Sequence, residues 1–93
     1  MGKLPVAEIN KRLQSLSEWS LQDGQITRSF SFGSFMDAII FVGKVAHKAE
    51  DYDHHPDIDI RYSTVKISVS SHDVNGITDR DFNLASSISK IFD

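Results

Sequence analysis

The chain has 93 residues, of which 40% are hydrophobic and 25% charged, with no cysteine and a formal net charge of -3. That length supports one modest core, so residues 1 to 93 are read as a single domain, and the charge balance carries no basic footprint for direct nucleic-acid binding. The missing cysteines exclude disulfides, thiolate nucleophiles and sulfur-ligated zinc, and the longest apolar run, Ala38 to Gly43, is too short to span a membrane.

Pro5 stands where proline is tolerated at a helix start, and Val6, Ile9, Leu13 and Leu16 recur behind it at helical spacing. Trp19 and Leu21 then alternate with polar residues up to Asp23-Gly24, and Ile26, Phe30 and Phe32 alternate beyond it. An Asp-Gly pair between two period-2 segments predicts a tight hairpin. Ser34, followed three residues later by Asp37, resembles a capping box and opens the longest helical pattern. Phe35, Ile39, Val42, Ala46 and Ala49 form its predicted core stripe, widened by Ala38, Phe41 and Val45. So broad an apolar face is expected to be covered on more than one side, by sheet and helix or by a second subunit.

This helix is expected to end near Tyr52, because Asp53 to Asp57 is rich in loop formers and Pro56 pushes His55 towards extended backbone. Ile58, Ile60 and Tyr62 alternate with Asp59 and Arg61, and Val65, Ile67 and Val69 with Lys66, Ser68 and Ser70. They predict a second hairpin turning near Ser63-Thr64. Asn75-Gly76 signals a turn, and Thr78 with Asp81 signals a helix start before Phe82, Ala85, Ile88 and Phe92. The predicted fold is α+β in the order α-β-β-α-β-β-α, a four-stranded antiparallel sheet with three helices packed on one face.

Three of the four histidines fall in two loop segments, His54 and His55 just before Pro56, and His72 between Ser71 and Asp73. Imidazole exchanges protons near neutral pH, so these segments are the candidates for proton-transfer chemistry. Glu50, Asp51, Asp53, Asp57 and Asp59 surround the histidine pair and are expected to set its charge and orientation. Consecutive histidines cannot chelate as a helical i, i+4 pair does, and Asp53, His54, Asp57 and His72 match no metal-ligand spacing, so no metal is expected. His47 reads as a surface residue of the long helix. Asp81 has a capping explanation, whereas Arg80 gains nothing from the helix dipole and is expected to find a specific partner, such as a carboxylate of the histidine loop. The bland alternative is a solvated acidic helix end with surface histidines.

Glu50, His54-His55-Pro56, Tyr62, His72 and Asp81 at these spacings resemble the signature of the pterin-4a-carbinolamine dehydratases. The resemblance covers nearly the whole chain, including the Asp-Gly hairpin, Ala46-His47 and the run Asp79-Arg80-Asp81-Phe82-Asn83-Leu84-Ala85. It implies dehydration of 4a-hydroxytetrahydrobiopterin to quinonoid dihydropterin, in tetrahydrobiopterin recycling beside an aromatic amino-acid hydroxylase, with no metal or organic cofactor. It implies His54, His55 and His72 as the catalytic set, the first and last in acid/base roles and His55 mainly holding the pterin. Asp53, Ser70 and Ser71 match pterin-contacting segments, and Glu50, Arg80 and Asp81 match residues behind them. Many relatives carry Trp where Ile58 stands, which keeps an apolar wall but loses aromatic stacking. The family also implies a homo-oligomer, dimer or tetramer. A non-catalytic alternative follows from it as well: an interaction module serving as dimerisation cofactor for a transcription factor or as an assembly partner. The start of the chain has no basic-then-apolar leader pattern, so the expected location is the cytoplasm.

Overall fold

Asp23 and Gly24 adopt φ values of 51° and 79°. Two successive left-handed residues are what a type I′ hairpin turn requires, and they fold β1 (Ser20–Gln22) back onto β2 (Gln25–Ser31). The computed structural model describes residues 2–93 and continues with α2 (Phe35–Tyr52), β3 (Asp57–Arg61), β4 (Thr64–Val69) and α3 (Asp79–Phe92), after an opening α1 (Val6–Leu13). The strands form one antiparallel sheet in the order β1-β2-β4-β3. The predicted fold class and element order are those observed.

Ile26 and Phe30 of β2 and Val65, Ile67 and Val69 of β4 are buried on one face, where they join Ile9, Trp19, Ala38, Phe41, Val45, Leu84, Ala85 and Ile88 in a single core. Ser29, Ser31, Thr64 and Lys66, on the opposite face, are exposed. Strand periodicity of two therefore sorts the sheet into a helix-covered side and an open side. Arg28 lies in register with Ile26 and Phe30 and so faces the core side. Its guanidinium stacks 4.4 Å from the Phe30 ring centroid and 5.1 Å from that of Phe92, and it donates to Ser89 Oγ at 2.9 Å.

Three local readings shift. After Leu13 the chain tightens into i→i−3 bonds, Gln14 to Lys11, Ser15 to Arg12 and Leu16 to Leu13, so Leu16 packs from a turn outside the helix. The second hairpin turns at Tyr62-Ser63, with Tyr62 at φ 54° and its side chain exposed. In α2 the buried line is Ala38, Phe41, Val45 and Ala49, while Ile39 and Val42 are half-buried and Phe35 and Ala46 exposed. Both lines have helical spacing, and apolar residues around so much of the helix do not specify which line meets the sheet.

Helix ends are tied by side chains or by backbone. Ser34 Oγ accepts from the Asp37 amide at 3.1 Å, one half of the predicted box, whereas Thr78 and Asp81 form the complete reciprocal box. At the end of α2, Asp53 is left-handed at φ 49°, its N–H bonds Glu50 O at 3.1 Å, and the His54 N–H bonds Ala49 O at 3.0 Å. This is a Schellman ending, with an aspartate filling the position usually given to glycine. It reverses the chain and turns His54 inward.

Candidate active site

β3 and β4 pair with Asp57 opposite Ser68 and Ile58 opposite Ile67. The segment before β3, with His54 and His55, and the segment after β4, with Ser70 to His72, therefore leave the same end of the sheet. Asp81, wholly buried in the first turn of α3, ties them together. Its Oδ1 lies 2.5 Å from His54 Nε2, and its Oδ2 accepts from Ser71 Oγ at 2.8 Å and from the Thr78 amide at 2.9 Å. Ser71 Oγ also lies 2.9 Å from Thr78 Oγ1. One carboxylate thus holds a helix exit, a strand end and a helix start.

His54 is buried, and the acceptor behind it fixes its ring. With both oxygens of Asp81 accepting, Nε2 carries a hydrogen, and Nδ1 is the nitrogen left for exchange with a substrate. Among the described residues no fully buried side-chain nitrogen or oxygen lacks a partner, so Nδ1, which bonds no protein group, reaches open space. His54 lines a cavity of about 440 Å³ together with Tyr52, Arg80, Asn83 and Lys90. Tyr52 OH, 2.5 Å from Ser87 Oγ, joins α2 to α3 along it.

His55 is exposed and its Nε2 lies 2.5 Å from Glu50 Oε2, one helical turn back across the Schellman ending. An ion pair this open adds little stability, and its effect is to orient the ring. Asp51, Asp53, Asp57 and Asp59 make no hydrogen bond or ion pair to either histidine among the described residues. The carboxylate crowding expected around the pair therefore reduces to Glu50 for His55 and to Asp81, distant in sequence, for His54. Asp53 acts on the site through its backbone.

His72 is exposed at the start of a tight loop closed by Ser71 N to Gly76 O at 2.7 Å, Gly76 N to Ser71 O at 3.2 Å and Asn75 N to His72 O at 3.2 Å. Ser70, Ser71 and His72 line a second cavity of about 370 Å³, with Leu4 and Ile9 among its apolar residues. His54 and Ser71, joined through Asp81, thus open to different cavities. Ile58, the second residue of β3, is half-buried opposite Ile67 and packs against the core.

Arg80 does find a carboxylate, but in the His72 loop: Nη2 donates to Asp73 Oδ1 at 2.6 Å. The expected partner in the histidine-pair loop is replaced by one only seven residues away, which the Asn75-Gly76 turn folds back onto the helix start. The Arg80 guanidinium holds the Asp73 carboxyl below the usual carboxylate range. A depressed folded-state value means the pair's contribution is fully present above the ordinary aspartate range and is lost as pH falls through the depressed one. Arg80→Ala is expected to return Asp73 to the ordinary range, read from the pH titration of its carboxyl carbon by NMR. An unshifted titration would contradict the pairing.

The second task of Asp81 has a signal in the sequence. Asp81 precedes Ala85 and Ile88 at helical spacing, so a capping acid sits on the buried line of α3 and needs an additional partner inside. Among the described residues, no group of three or more His, Asp or Glu converges in a way suited to a metal ion.

The fold and the loops it joins define a small α+β protein with a buried histidine-aspartate pair at one sheet end. The chain belongs to the pterin 4 alpha carbinolamine dehydratase family, whose model matches residues 2–91. A relative from Acidobacterium capsulatum, named "Putative pterin-4-alpha-carbinolamine dehydratase", is 50% identical over 88 residues, covering 95% of this chain and 96% of its own. One from Herpetosiphon aurantiacus, with the same name, is 46% identical over 92 residues, covering 99% and 96%. A crystal structure described as a transcriptional coactivator/pterin dehydratase from Brucella melitensis superposes with a TM-score of 0.93 at 35% identity, over 99% of this chain and 100% of that one. A pterin dehydratase-like protein described as a RuBisCO assembly factor in the alpha-carboxysome shares the fold, with a TM-score of 0.68 at 19% identity, over 80% of this chain and 88% of its own.

Proposed function

We propose that this protein dehydrates 4a-hydroxytetrahydrobiopterin to quinonoid dihydropterin and water, in tetrahydrobiopterin recycling beside an aromatic amino-acid hydroxylase in the cytoplasm. The observation that carries the reading is the Asp81 carboxylate, which holds His54 from one loop and Ser71, next to His72, from the other. In the reaction a ring-nitrogen lone pair expels the C4a hydroxyl. That hydroxyl takes up a proton as the C4a–O bond breaks, and a ring nitrogen releases one, so no net proton is consumed. His54 and His72 are the groups suited to give and take these protons, and because they line different cavities the reading has the pterin lie across the sheet end between the two. His55, oriented by Glu50, holds the pterin, Ser70 offers a polar contact to its edge, and Asp53 and Ser71 shape the two loops around it. Arg80 steadies the His72 loop through Asp73. Purified protein is expected to accelerate the disappearance of 4a-hydroxypterin absorbance, and no acceleration over buffer at saturating protein would sink the reading.

The same reading includes a homo-oligomer. Phe35, Met36 and Ile40 stand 49%, 63% and 54% exposed along one side of α2, a grouping that monomers rarely leave uncovered. Light scattering is expected to give a multiple of the 10.4 kDa chain mass, and a monomer at micromolar concentration would contradict this. A non-catalytic role as an interaction module is the second reading, supported by that apolar side of α2 and by the coactivator description of the Brucella relative. It predicts partner binding that survives loss of both His54 and His72.

A further inference from the structure

The loop carrying His72 is steadied from inside by Ser71 on Asp81 and from the helix side by Asp73 on Arg80. A third contact comes from the segment before α1. The Leu4 amide donates to Ile77 O at 2.7 Å, and the Lys3 side chain lies against Gly76. A Cβ built on Gly76 would stand 2.7 Å from Lys3 Cγ and 2.8 Å from its Cδ and Cε, and these three are the nearest atoms it would meet. Gly76 has no left-handed backbone to explain it. Its missing side chain instead lets the Lys3 stem lie flat on the loop.

Gly76 is bonded in both directions to Ser71, and Asn75 bonds the His72 carbonyl, so pressure on Gly76 reaches the histidine through two short links. Lys3 and Leu4 also line the cavity onto which Ser70, Ser71 and His72 open. Among the described residues no carboxylate pairs with Lys3, so the contact with Gly76 is made by the aliphatic stem, with the ammonium left to water.

We infer that Lys3 and Leu4 form a strap across the His72 loop, and that Lys3 is a positioning residue for the dehydration proposed above, on which this inference rests. The strap acts by packing. It narrows the positions His72 samples at the cavity mouth, and misplacement of a proton-transfer group by about 1 Å is enough to cost on the order of a hundredfold in rate.

The test is a set of four variants measured for kcat, KM, thermal midpoint and amide hydrogen exchange. Lys3→Gly removes the stem, and Gly76→Ala lifts it off. Each is expected to lower kcat about tenfold, with KM and thermal midpoint nearly unchanged, and to speed exchange at Asn75 and Gly76. Combined, the two are expected to be no worse than either alone, because both remove one contact. Lys3→Met keeps the stem without the charge and is expected to match the wild type. The strap is overturned if Lys3→Gly leaves exchange at Asn75 and Gly76 unchanged, if the two effects simply add, or if Lys3→Met is as impaired as Lys3→Gly. Exchange decides the strap even in a protein without dehydratase activity, whereas absent wild-type activity removes the catalytic reading and leaves the exchange result standing.

Discussion

His54→Ala and His72→Ala are each expected to lower the dehydration rate by about a hundredfold or more, the usual contribution of a positioned acid or base. The two losses have different structural origins. His54 is fixed at Nε2 by Asp81 and presents Nδ1 to open space, so its removal takes away a proton carrier whose orientation was set in advance. His72 is exposed on a loop held by Ser71, Asp73 and Gly76, so its removal leaves the fold untouched and the cavity beside it open. With His55 in the proposed role of holding the pterin, His55→Ala is expected to raise KM more than it lowers kcat, because Glu50 orients that ring at the surface and away from the buried His54. Stopped-flow decay of the 4a-hydroxypterin, followed across substrate concentrations, separates these outcomes. Two alanine variants retaining near wild-type kcat would remove the histidines from the chemistry and leave the interaction module as the standing reading.

Much of this architecture is legible in the residues because it is local. Asp23-Gly24 reports its own turn, Thr78 with Asp81 reports its own helix start, and strand alternation reports which side of β2 and β4 is buried. What stays hidden depends on the relative placement of elements. The rotation of α2 about its axis is set by how Ala38, Phe41, Val45 and Ala49 fit the sheet and α3, and the apolar residues around that helix allow more than one solution. The nearest acids in sequence pointed to the wrong partners for His54. A Schellman ending turns that ring away from Asp51, Asp53 and Asp57 and towards a carboxylate 27 residues on. Arg28 is invisible for the same reason: alternation places it on the core side, but only the arrival of Phe92 and Ser89 from α3 makes that position tolerable for a cation.

Asp81→Ala is expected to be the most destabilising substitution at the sheet end, by about 3 kcal/mol or more, because it breaks several buried bonds in one step. Its loss leaves the His54 Nε2 hydrogen and the Thr78 amide without their acceptor, in a position where no water reaches the carboxylate. It also removes half of the capping box that starts α3. For a chain of this size such a loss lowers the thermal midpoint by more than about 10 °C. Asp81→Asn separates the roles. The amide keeps the volume and one acceptor oxygen, so Ser71 and Thr78 retain a partner, but its NH2 group then faces the His54 Nε2 hydrogen, and the ring must change tautomer or turn away. Asp81→Asn is therefore expected to recover most of the stability lost in Asp81→Ala while keeping little of the activity. A midpoint for Asp81→Ala within a few degrees of the wild type would show that the carboxylate does not tie these elements together. Wild-type kcat in Asp81→Asn would show that the orientation of His54 is set by something other than the bond to Asp81.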